Sequence, residues 1–194
     1  SPTVLAAAEC PNALWTADHK GDFRLISGRC YPLTVMDAYS RYLLKCEALT
    51  ATSEAEARPH FERAFREFGL PERIRTDNGG PFANARSPAG LSRLSVWWTR
   101  LGIRLERIEP GHPEQNGAHE RMHRTLKAEA IEHDRDDLPE QQRRFDRFRR
   151  IYNHERPHES LAMRTPATTY ETSWRAMPAQ VPPMEYEAEY AVRR

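Results

Sequence analysis

The chain has 194 residues, which suffices for one domain with a sizeable core and an appendage but is short for two full domains. Lysine and arginine total 29 against 28 aspartate and glutamate residues, and the net charge of +1 excludes any argument for nucleic-acid binding from global charge. Three scattered cysteines, with no apolar run of membrane-spanning length and no signal-peptide pattern, predict a soluble intracellular protein with free thiols and no membrane partner.

The first part of the chain alternates between strand and turn patterns. After a lead-in at residues 1–10, buried and polar positions alternate over Leu14–His19, which predicts a strand with Asp18 in it or at its end. Two further strands are predicted at Arg29–Met36 and Tyr42–Leu49. Because short turns join the three strands, they predict an antiparallel meander.

A helix and a short strand are predicted next. Ser53 and Glu56 form the pattern of a capping box, and phenylalanines recur at helical spacing until Gly69. Arg73–Thr76 then predicts a short strand that delivers Asp77 at its carboxyl end, ahead of the turn sequence Asn-Gly-Gly-Pro. Sites in α/β sheets form at the carboxyl ends of strands, so Asp77 is a candidate site residue.

The second part of the chain is predicted to be mainly helical. Residues 155–194 are rich in Pro, Thr and Glu, and we expect them to wrap the domain with little core of their own, which leaves residues 11–154 as the core. This order of elements predicts an α/β fold in which a mixed sheet of about five strands is flanked by helices. The predicted elements are a flexible insertion at residues 83–91, a helix around Trp97 and Trp98, a strand at Ile103–Ile108, and helices after Gly117 and over Pro139–Asn153.

The helix that follows the polar loop at Gly111 carries a mixed set of charged groups. Taken alone, it is most simply interpreted as a solvated helix with an ion pair from Glu120 to Arg124. At about 100° per residue, one side of this helix is predicted to hold Glu120, His123, Arg124 and Lys127.

Three carboxylates could support two-metal phosphoryl transfer if the fold brings them together. Asp18, Asp77 and Glu120 come from different elements, as is needed to hold two divalent cations about 3.5 to 4 Å apart. Oxygen ligands without a Cys/His set favour Mg²⁺, with Mn²⁺ as a substitute. Each carboxylate also has a purely structural interpretation, as a strand-edge residue, a turn opener or an ion-pair partner. His119 and His123 are expected to be phosphate contacts or surface residues.

Five segments carry the most distinctive motifs: LWTADHKGDF, VMDAYSRYLL, RTDNGGPF, GHPEQNGAHERMHRTLK and YNHERPHESL. Together they resemble the catalytic core of DDE transposases of bacterial insertion sequences, the group similar to retroviral integrases. The resemblance runs from about Leu14 to Pro166 in the expected order. It implies an RNase H-like fold, metal-dependent strand transfer of DNA, an assembly of at least two copies, and a location in the bacterial cytoplasm.

The resemblance also assigns roles to individual residues. It identifies Asp18, Asp77 and Glu120 as the catalytic and metal-binding carboxylates, and it implies that Arg124 and Lys127, beyond the glutamate, contact DNA. Asn116 matches a polar position that approaches DNA in the family. With His123, the full set of predicted DNA contacts is Asn116, His123, Arg124 and Lys127.

Two features depart from the family pattern. The interval from Asp77 to Glu120 is longer than usual, and we assign the excess to the loop at residues 83–91. No helix-turn-helix region precedes the core, so we expect a catalytic core in which end-specific DNA binding is missing. Two alternatives remain open: an RNase H-like nuclease acting on RNA–DNA hybrids or DNA junctions, and a non-catalytic DNA-binding module derived from a transposase.

Overall fold

The structure, a computed structural model, describes residues 7–84, 87, 90–109, 113–131 and 136–181. The α/β fold predicted from the sequence is confirmed, with six strands in place of about five. The additional strand, β2, has only three residues, which are too few to give a recognisable alternation in the sequence. The strands are β1 Trp15–His19, β2 Phe23–Leu25, β3 Gly28–Asp37, β4 Leu43–Leu49, β5 Arg73–Thr76 and β6 Arg104–Arg107, and the helices are α1 Glu54–Phe68, α2 Arg93–Arg100, α3 Gly117–Ala130 and α4 Leu138–His154.

The sheet is mixed because β1 pairs with strands of both directions. It runs antiparallel to β3, with Asp18 opposite Thr34, and parallel to β5, with Thr16 opposite Arg75. β4 pairs antiparallel with β3, β2 pairs antiparallel with the start of β3, and β6 runs parallel to β5. β1 is therefore an interior strand, and its carboxyl end lies beside the carboxyl end of β5.

The two faces of the sheet are covered by different pairs of helices. Trp15, Leu33 and Ile74 belong to the apolar layer that packs with α1 and α2. Met36 and Cys46 belong to the layer that packs with α3 and α4. Because successive side chains of a strand point to opposite faces, the polar residues next to Trp15 and Leu33 point towards α3. The result is a three-layer α/β/α arrangement with α3 above the end of β1.

Side-chain caps define the starts of the helices. The Ser53 hydroxyl accepts a hydrogen bond from the Glu56 N–H at 3.3 Å, as predicted. The Glu56 carboxylate, however, accepts from the backbone and hydroxyl of Thr50, so the predicted reciprocal capping box is wrong. Complete capping boxes instead begin α2, at Ser92, and α4, at Asp137. None of the helices in the described part of the chain has both the length and the apolar character needed to cross a bilayer.

The predicted insertion is closed at its base by backbone pairing. Ala83 and Leu91 form an isolated antiparallel bridge, and the Asn84 N–H donates to the Gly90 carbonyl at 3.0 Å. Positions 85, 86, 88 and 89 lie outside the described residues, so the predicted flexibility of the insertion stays a prediction.

The segment after α4 packs along the core. The Tyr170 ring stacks on Tyr42 with centroids 4.5 Å apart, and the Ser173 N–H donates to the Phe68 carbonyl at 2.8 Å. Gly69 has a φ of 77°, and a Cβ there would lie 2.6 Å from the Ser173 carbonyl oxygen. The end of α1 therefore requires glycine both for its backbone conformation and for the close approach of this segment.

Candidate active site

Two of the predicted carboxylates lie at the same end of neighbouring parallel strands. Thr16 of β1 is opposite Arg75 of β5, the last pair of this ladder, and Asp18 and Asp77 each follow two residues later in the chain. Neighbouring strands are about 4.8 Å apart, and residues in register point to the same face. Asp18 and Asp77 therefore lie at one edge of the sheet, close enough for the charge of Asp77 to act on Asp18.

The carboxyl group of Asp18 lies in a strongly perturbing environment. Burial and then the nearby charge of Asp77 raise the pKa of Asp18 to about 7, and the charge of Glu120 acts in the same direction. The backbone N–H of His19 and the charge of Lys20 act in the opposite direction. Both other predicted carboxylates are thus within electrostatic range of Asp18, although the three come from three elements. A cation bound among them would relieve the repulsion.

The donor set suits a hard divalent cation, but the three groups are not gathered around one point. Within the described ranges of the chain, no three His, Cys, Asp or Glu side chains are close enough to hold a metal ion together. The Asp18 side chain is 23% exposed, and Asp77 and Glu120 are exposed, so all three present oxygen atoms to solvent. The structure thus brings Asp77 and, more weakly, Glu120 of the neighbouring helix within electrostatic range of Asp18.

The orientation of Asp77 is fixed by the turn that follows it. The Gly79 N–H donates to Asp77 Oδ1 at 3.1 Å, and a Cβ on Gly79 would lie 3.0 Å from Asp77 Oδ2. The Asn78 amide donates to the Ile108 carbonyl at 3.0 Å, which ties the turn to the end of β6. A side chain at Gly79 would therefore crowd the Asp77 carboxylate, an effect that turn chemistry in the sequence did not reveal.

The two histidines of α3 are buried beneath the site. His119 is 0% exposed and His123 is 6% exposed, so the prediction that they are surface residues is wrong. Burial lowers the pKa of His119 to about 3 and that of His123 to about 2, so both rings are neutral. His123 is thus buried, with Nδ1 3.9 Å from Asp18 Oδ2, and its predicted contact with DNA stays a prediction.

Two threonines of the sheet bind these histidines. The Thr16 hydroxyl is 2.7 Å from His119 Nδ1, and the Thr34 hydroxyl is 2.7 Å from both His119 Nε2 and His123 Nε2. Thr34 also donates to the Asp18 carbonyl at 3.2 Å. The network joins α3 to the strand that carries Asp18. The burial of these histidines could have been predicted from helical spacing. His119 and His123 lie on the same side of α3 as the apolar residues Met122 and Leu126.

Of the remaining predicted DNA contacts, Arg124 and Lys127 are exposed and Asn116 is buried. Arg124 and Lys127 are exposed on α3, and in the described part of the chain Glu120 forms no ion pair with Arg124. Asn116 is only 8% exposed, and its side-chain oxygen is buried without a hydrogen-bond partner among the described residues. It lines a cavity of about 330 Å³ beside the start of α3. Of the predicted site residues on α3, Glu120, Arg124 and Lys127 are therefore the accessible ones.

Arg75 positions the start of α3 and was missed at the sequence level. It is 9% exposed, forms an ion pair with Glu106 at 2.9 Å and donates to the Gln115 carbonyl at 2.9 Å. Arg73 binds the same glutamate at 2.6 Å. The signal was the alternation of two arginines along β5, which indicates that both point to the same side of the strand. These contacts connect β5, which delivers Asp77, to the turn that precedes α3.

Sequence comparisons identify relatives over nearly the whole chain. The family described as Integrase core domain matches residues 8–113, and a second family with the same description matches residues 101–166. The chain is 30% identical over 177 residues to the uncharacterized 39.2 kDa protein of insertion element IS476 from Xanthomonas euvesicatoria. This match covers 90% of the chain and 49% of that protein, so the chain spans about half the length of the relative.

Solved structures resemble the fold closely at low sequence identity. A chain of the simian T-cell lymphotropic virus intasome superposes with a TM-score of 0.65 at 17% identity, over 95% of this chain and 63% of that chain. The HTLV-2 integrase catalytic core domain in complex with magnesium, in its trimeric form, gives 0.57 at 17% identity, over 84% and 99%. The predicted RNase H-like fold is thereby confirmed. The chain belongs to the integrase core domain family, as its resemblance to insertion-sequence transposases and retroviral integrases predicted.

Proposed function

We propose that the chain is the catalytic core of a DNA transposase, which cuts phosphodiesters at transposon ends and joins the resulting 3′ hydroxyls to target DNA. The observation that carries the proposal is the approach of Asp18 and Asp77 on adjoining parallel strands, within electrostatic range of Glu120. Membership of the integrase core domain family and the match to an insertion-element protein support the same reaction class. The partners would be transposon-end and target DNA in the bacterial cytoplasm.

Asp18, Asp77 and Glu120 would hold two Mg²⁺ ions, with Mn²⁺ as a substitute. Carboxylate oxygens are the ligands that these cations prefer, and the magnesium complex of the HTLV-2 core supports the choice of metal. When bound, such ions stabilise charge that develops on the phosphate and activate the attacking water or 3′ hydroxyl. The raised pKa of Asp18 fits this assignment, because a nearby cation favours the ionised carboxylate.

The other residues of the site would position the carboxylates and the DNA. The Gly79 N–H holds the Asp77 carboxylate, and the Thr34 hydroxyl holds the backbone at Asp18. Arg124 and Lys127 would bind backbone phosphates, which fix the register of DNA but carry little sequence information. Asn116 would contact DNA through the cavity that its side chain lines, beside the start of α3.

We also propose that the chain acts as a homodimer or a higher oligomer. Cutting and joining at the two ends of one transposon requires two active sites to be held together. The HTLV-2 core domain, whose fold is similar, occurs in trimeric and dimeric forms. Light scattering of the chain with and without DNA would measure the number of copies.

The test is joining activity on a branched DNA that represents the product of strand transfer, on which the reaction runs in reverse. With Mg²⁺ or Mn²⁺, the chain should reseal the target strand and release the transposon strand, because this reaction needs only the branch point. Glu120→Gln should abolish the activity. Glu62→Gln makes the same change of charge on the exposed side of α1 and should retain it.

Two results would contradict the proposal. Full resealing activity in a folded Glu120→Gln variant would remove the glutamate from the site. Cleavage of an RNA–DNA hybrid without any resealing would favour the RNase H-like nuclease instead.

A further inference from the structure

A cleft of about 610 Å³ lies on a flank of α3 away from Glu120. Its walls come from α3, the turn between β3 and β4, the end of α4 and the segment after it. At about 100° per residue, Thr125 on its wall lies roughly 140° around the helix from Glu120. None of the predicted carboxylates or DNA contacts lines it. We call it the basic cleft, after its lining residues Arg41, Arg121, Arg156 and His158, with Tyr152 between them.

The guanidinium groups of the basic cleft repel one another. Burial lowers the pKa of Arg41, and the charge of Arg121 acts in the same direction. Burial raises the pKa of Tyr152 to about 12, and the positive charges of Arg41, Arg156 and Arg121 oppose that rise. All three arginines thus lie within electrostatic range of one buried hydroxyl. This concentration of positive charge occurs in a chain whose net charge is only +1.

Acidic residues neutralise only part of this charge. Glu159 also lines the cleft, and Arg156 forms an ion pair with Glu129 through one end of its guanidinium. The Nε–H of Arg156 is buried without a hydrogen-bond partner among the described residues. Arg121 forms no ion pair with any residue that the structure describes. The cleft therefore retains positive charge that its acidic residues do not neutralise, which suits an anion.

Arg41 is directed into the cleft by a turn that other residues hold in place. Its φ of 64° is in the left-handed region, which is uncommon for a residue with a side chain. Its N–H donates to the Asp37 carbonyl at 2.9 Å. The buried Asp37 carboxylate accepts from the Ser40 N–H at 2.8 Å, the Ser40 hydroxyl at 2.6 Å and the Asn12 N–H at 2.8 Å. The segment Asp-Ala-Tyr-Ser-Arg thus serves to present Arg41.

The cleft adjoins the cavity at the start of α3. Arg41, Ala118 and Arg121 line both the cleft and the cavity of about 330 Å³ that contains Asn116. The two spaces therefore form one groove along the first turns of α3. A strand that enters at Asn116 would meet Arg41 and Arg121 before it reaches Arg156.

We propose that the basic cleft binds a backbone phosphate of DNA at a position separate from the carboxylates. Guanidinium groups form paired hydrogen bonds with phosphate oxygens, and three of them converge here from separate elements. DNA is chosen over other anions because the groove continues to the start of α3, whose next turns carry the carboxylate and the exposed basic residues. In this respect the inference rests on the DNA substrate of the proposed function.

The test is DNA binding without divalent cations, so that it does not depend on catalysis. The affinity of the chain for a duplex of arbitrary sequence would be measured by fluorescence anisotropy over a range of salt concentrations. Arg121→Gln should reduce the slope of log K against log salt by about 1 and weaken binding by about three- to tenfold for all sequences. Arg66→Gln removes the same charge from the exposed side of α1, across the sheet, and should leave the slope unchanged.

Two further measurements complete the experiment: thermal unfolding of both variants, and binding of inorganic phosphate to the wild type and to Arg121→Gln. Both variants should unfold within about 2 °C of the wild-type temperature, since both side chains are on exposed helix faces. Equal slopes for Arg121→Gln and Arg66→Gln, or no DNA binding by the wild-type chain, would overturn the inference. The inference would also be overturned if Arg121→Gln abolished binding of free phosphate but left the slope of log K for DNA against log salt unchanged. A chain that binds DNA through the cleft but never joins strands would refute the proposed function and leave this inference standing.

Discussion

The two flanks of α3 gather charges of opposite sign. On one flank lie Asp18, Asp77 and Glu120, which we call the acidic edge, and on the other lies the basic cleft. Burial and like charges raise the pKa of Asp18 at the acidic edge and lower the pKa of Arg41 in the cleft. Each flank is thus destabilised by its own charges. Such clusters are typical of sites where a ligand of the opposite charge offsets the repulsion.

The two flanks also differ in construction. The acidic edge depends on strand register, since Asp18 and Asp77 extend one pairing of β1 with β5. The basic cleft depends on a turn and on the segment after α4, where the rings of Tyr152 and His158 lie 4.8 Å apart. The two aspartates of the acidic edge are placed by the sheet, whereas every wall of the cleft requires distant parts of the chain to pack together.

The largest expected effect is the loss of activity when Asp18 is changed. Asp18→Asn should lower the resealing rate roughly 1000-fold, because metal-assisted stabilisation of the developing charge contributes several kcal/mol. The measurement is the rate on the branched DNA at saturating Mg²⁺. Asp22→Asn, a change of an exposed turn residue, is the control and should retain activity. Near-wild-type activity of Asp18→Asn would show that the acidic edge is not the catalytic site.

The pH dependence of stability should measure how much the ionised Asp18 carboxylate destabilises the fold, independently of any role in catalysis. The pKa of Asp18 is about 7 in the folded chain against a usual 3.8, so the folded state binds its proton more tightly than the unfolded state does. The contribution of Asp18 to the free energy of unfolding should therefore fall as pH rises from about 4 to about 7 and then level off, whereas the buried His119 and His123, whose pKa values are lowered, contribute in the opposite direction in both proteins. At pH 8, Asp18→Asn should be more stable than the wild type by roughly 2–4 kcal/mol, and at pH 4 the two should agree.

Urea unfolding of both proteins between these pH values, with a chelator present, measures this difference. Added Mg²⁺ should stabilise the wild type at pH 8 and have little effect on Asp18→Asn. Parallel stability curves for the two proteins would show that burial of Asp18 costs less than the pKa implies.

The buried side of α3 should contribute to the stability of the fold, and the exposed side should contribute to DNA binding. His119→Phe removes both ring-nitrogen hydrogen bonds to Thr16 and Thr34 and should cost roughly 2–4 kcal/mol of unfolding free energy. Arg124→Ala, on the exposed side, should change stability by less than about 0.5 kcal/mol while weakening DNA binding. Denaturant unfolding and anisotropy measure the two effects. A stable His119→Phe variant with impaired DNA binding would reverse the roles assigned to the two sides.

The turn after β5 offers a finer test of the acidic edge. Gly79→Ala would bring a Cβ to 3.0 Å from Asp77 Oδ2, and displacement of the carboxylate should lower the resealing rate about tenfold. Gly80→Ala is a matched control, because a Cβ there has nothing within 4 Å. Neither change should alter the temperature of unfolding much. Equal rates for both variants would mean that Asp77 tolerates movement.

The smallest expected effect concerns the basic cleft without its ligand. Arg121→Gln removes one of three repelling charges and should raise the free energy of unfolding, by no more than about 0.5 kcal/mol. High salt should erase the difference because it screens the repulsion. A clear loss of stability would instead mean that Arg121 holds the fold together.

Local patterns in the sequence were sufficient for most elements. The alternation in Arg73–Thr76 gave β5 with its observed ends, and Ser53 was correctly predicted to cap α1. The turn residues after Asp77 correctly predicted where β5 ends. Each of these features depends on neighbours within a few positions, so the sequence alone contains the information.

Contacts between distant residues were decided only by tertiary structure. The sequence could not tell that Glu56 binds Thr50, or that α3 turns His119 and His123 inward. Their burial depends on hydroxyl partners 103 and 89 positions away. The three arginines of the basic cleft are likewise separated along the chain. Apart from the short β2, the sequence by itself determined which residues occupy strands, helices and turns, because propensity and periodicity are local. Packing decided which side of each element is buried, because burial depends on what the rest of the chain places opposite it.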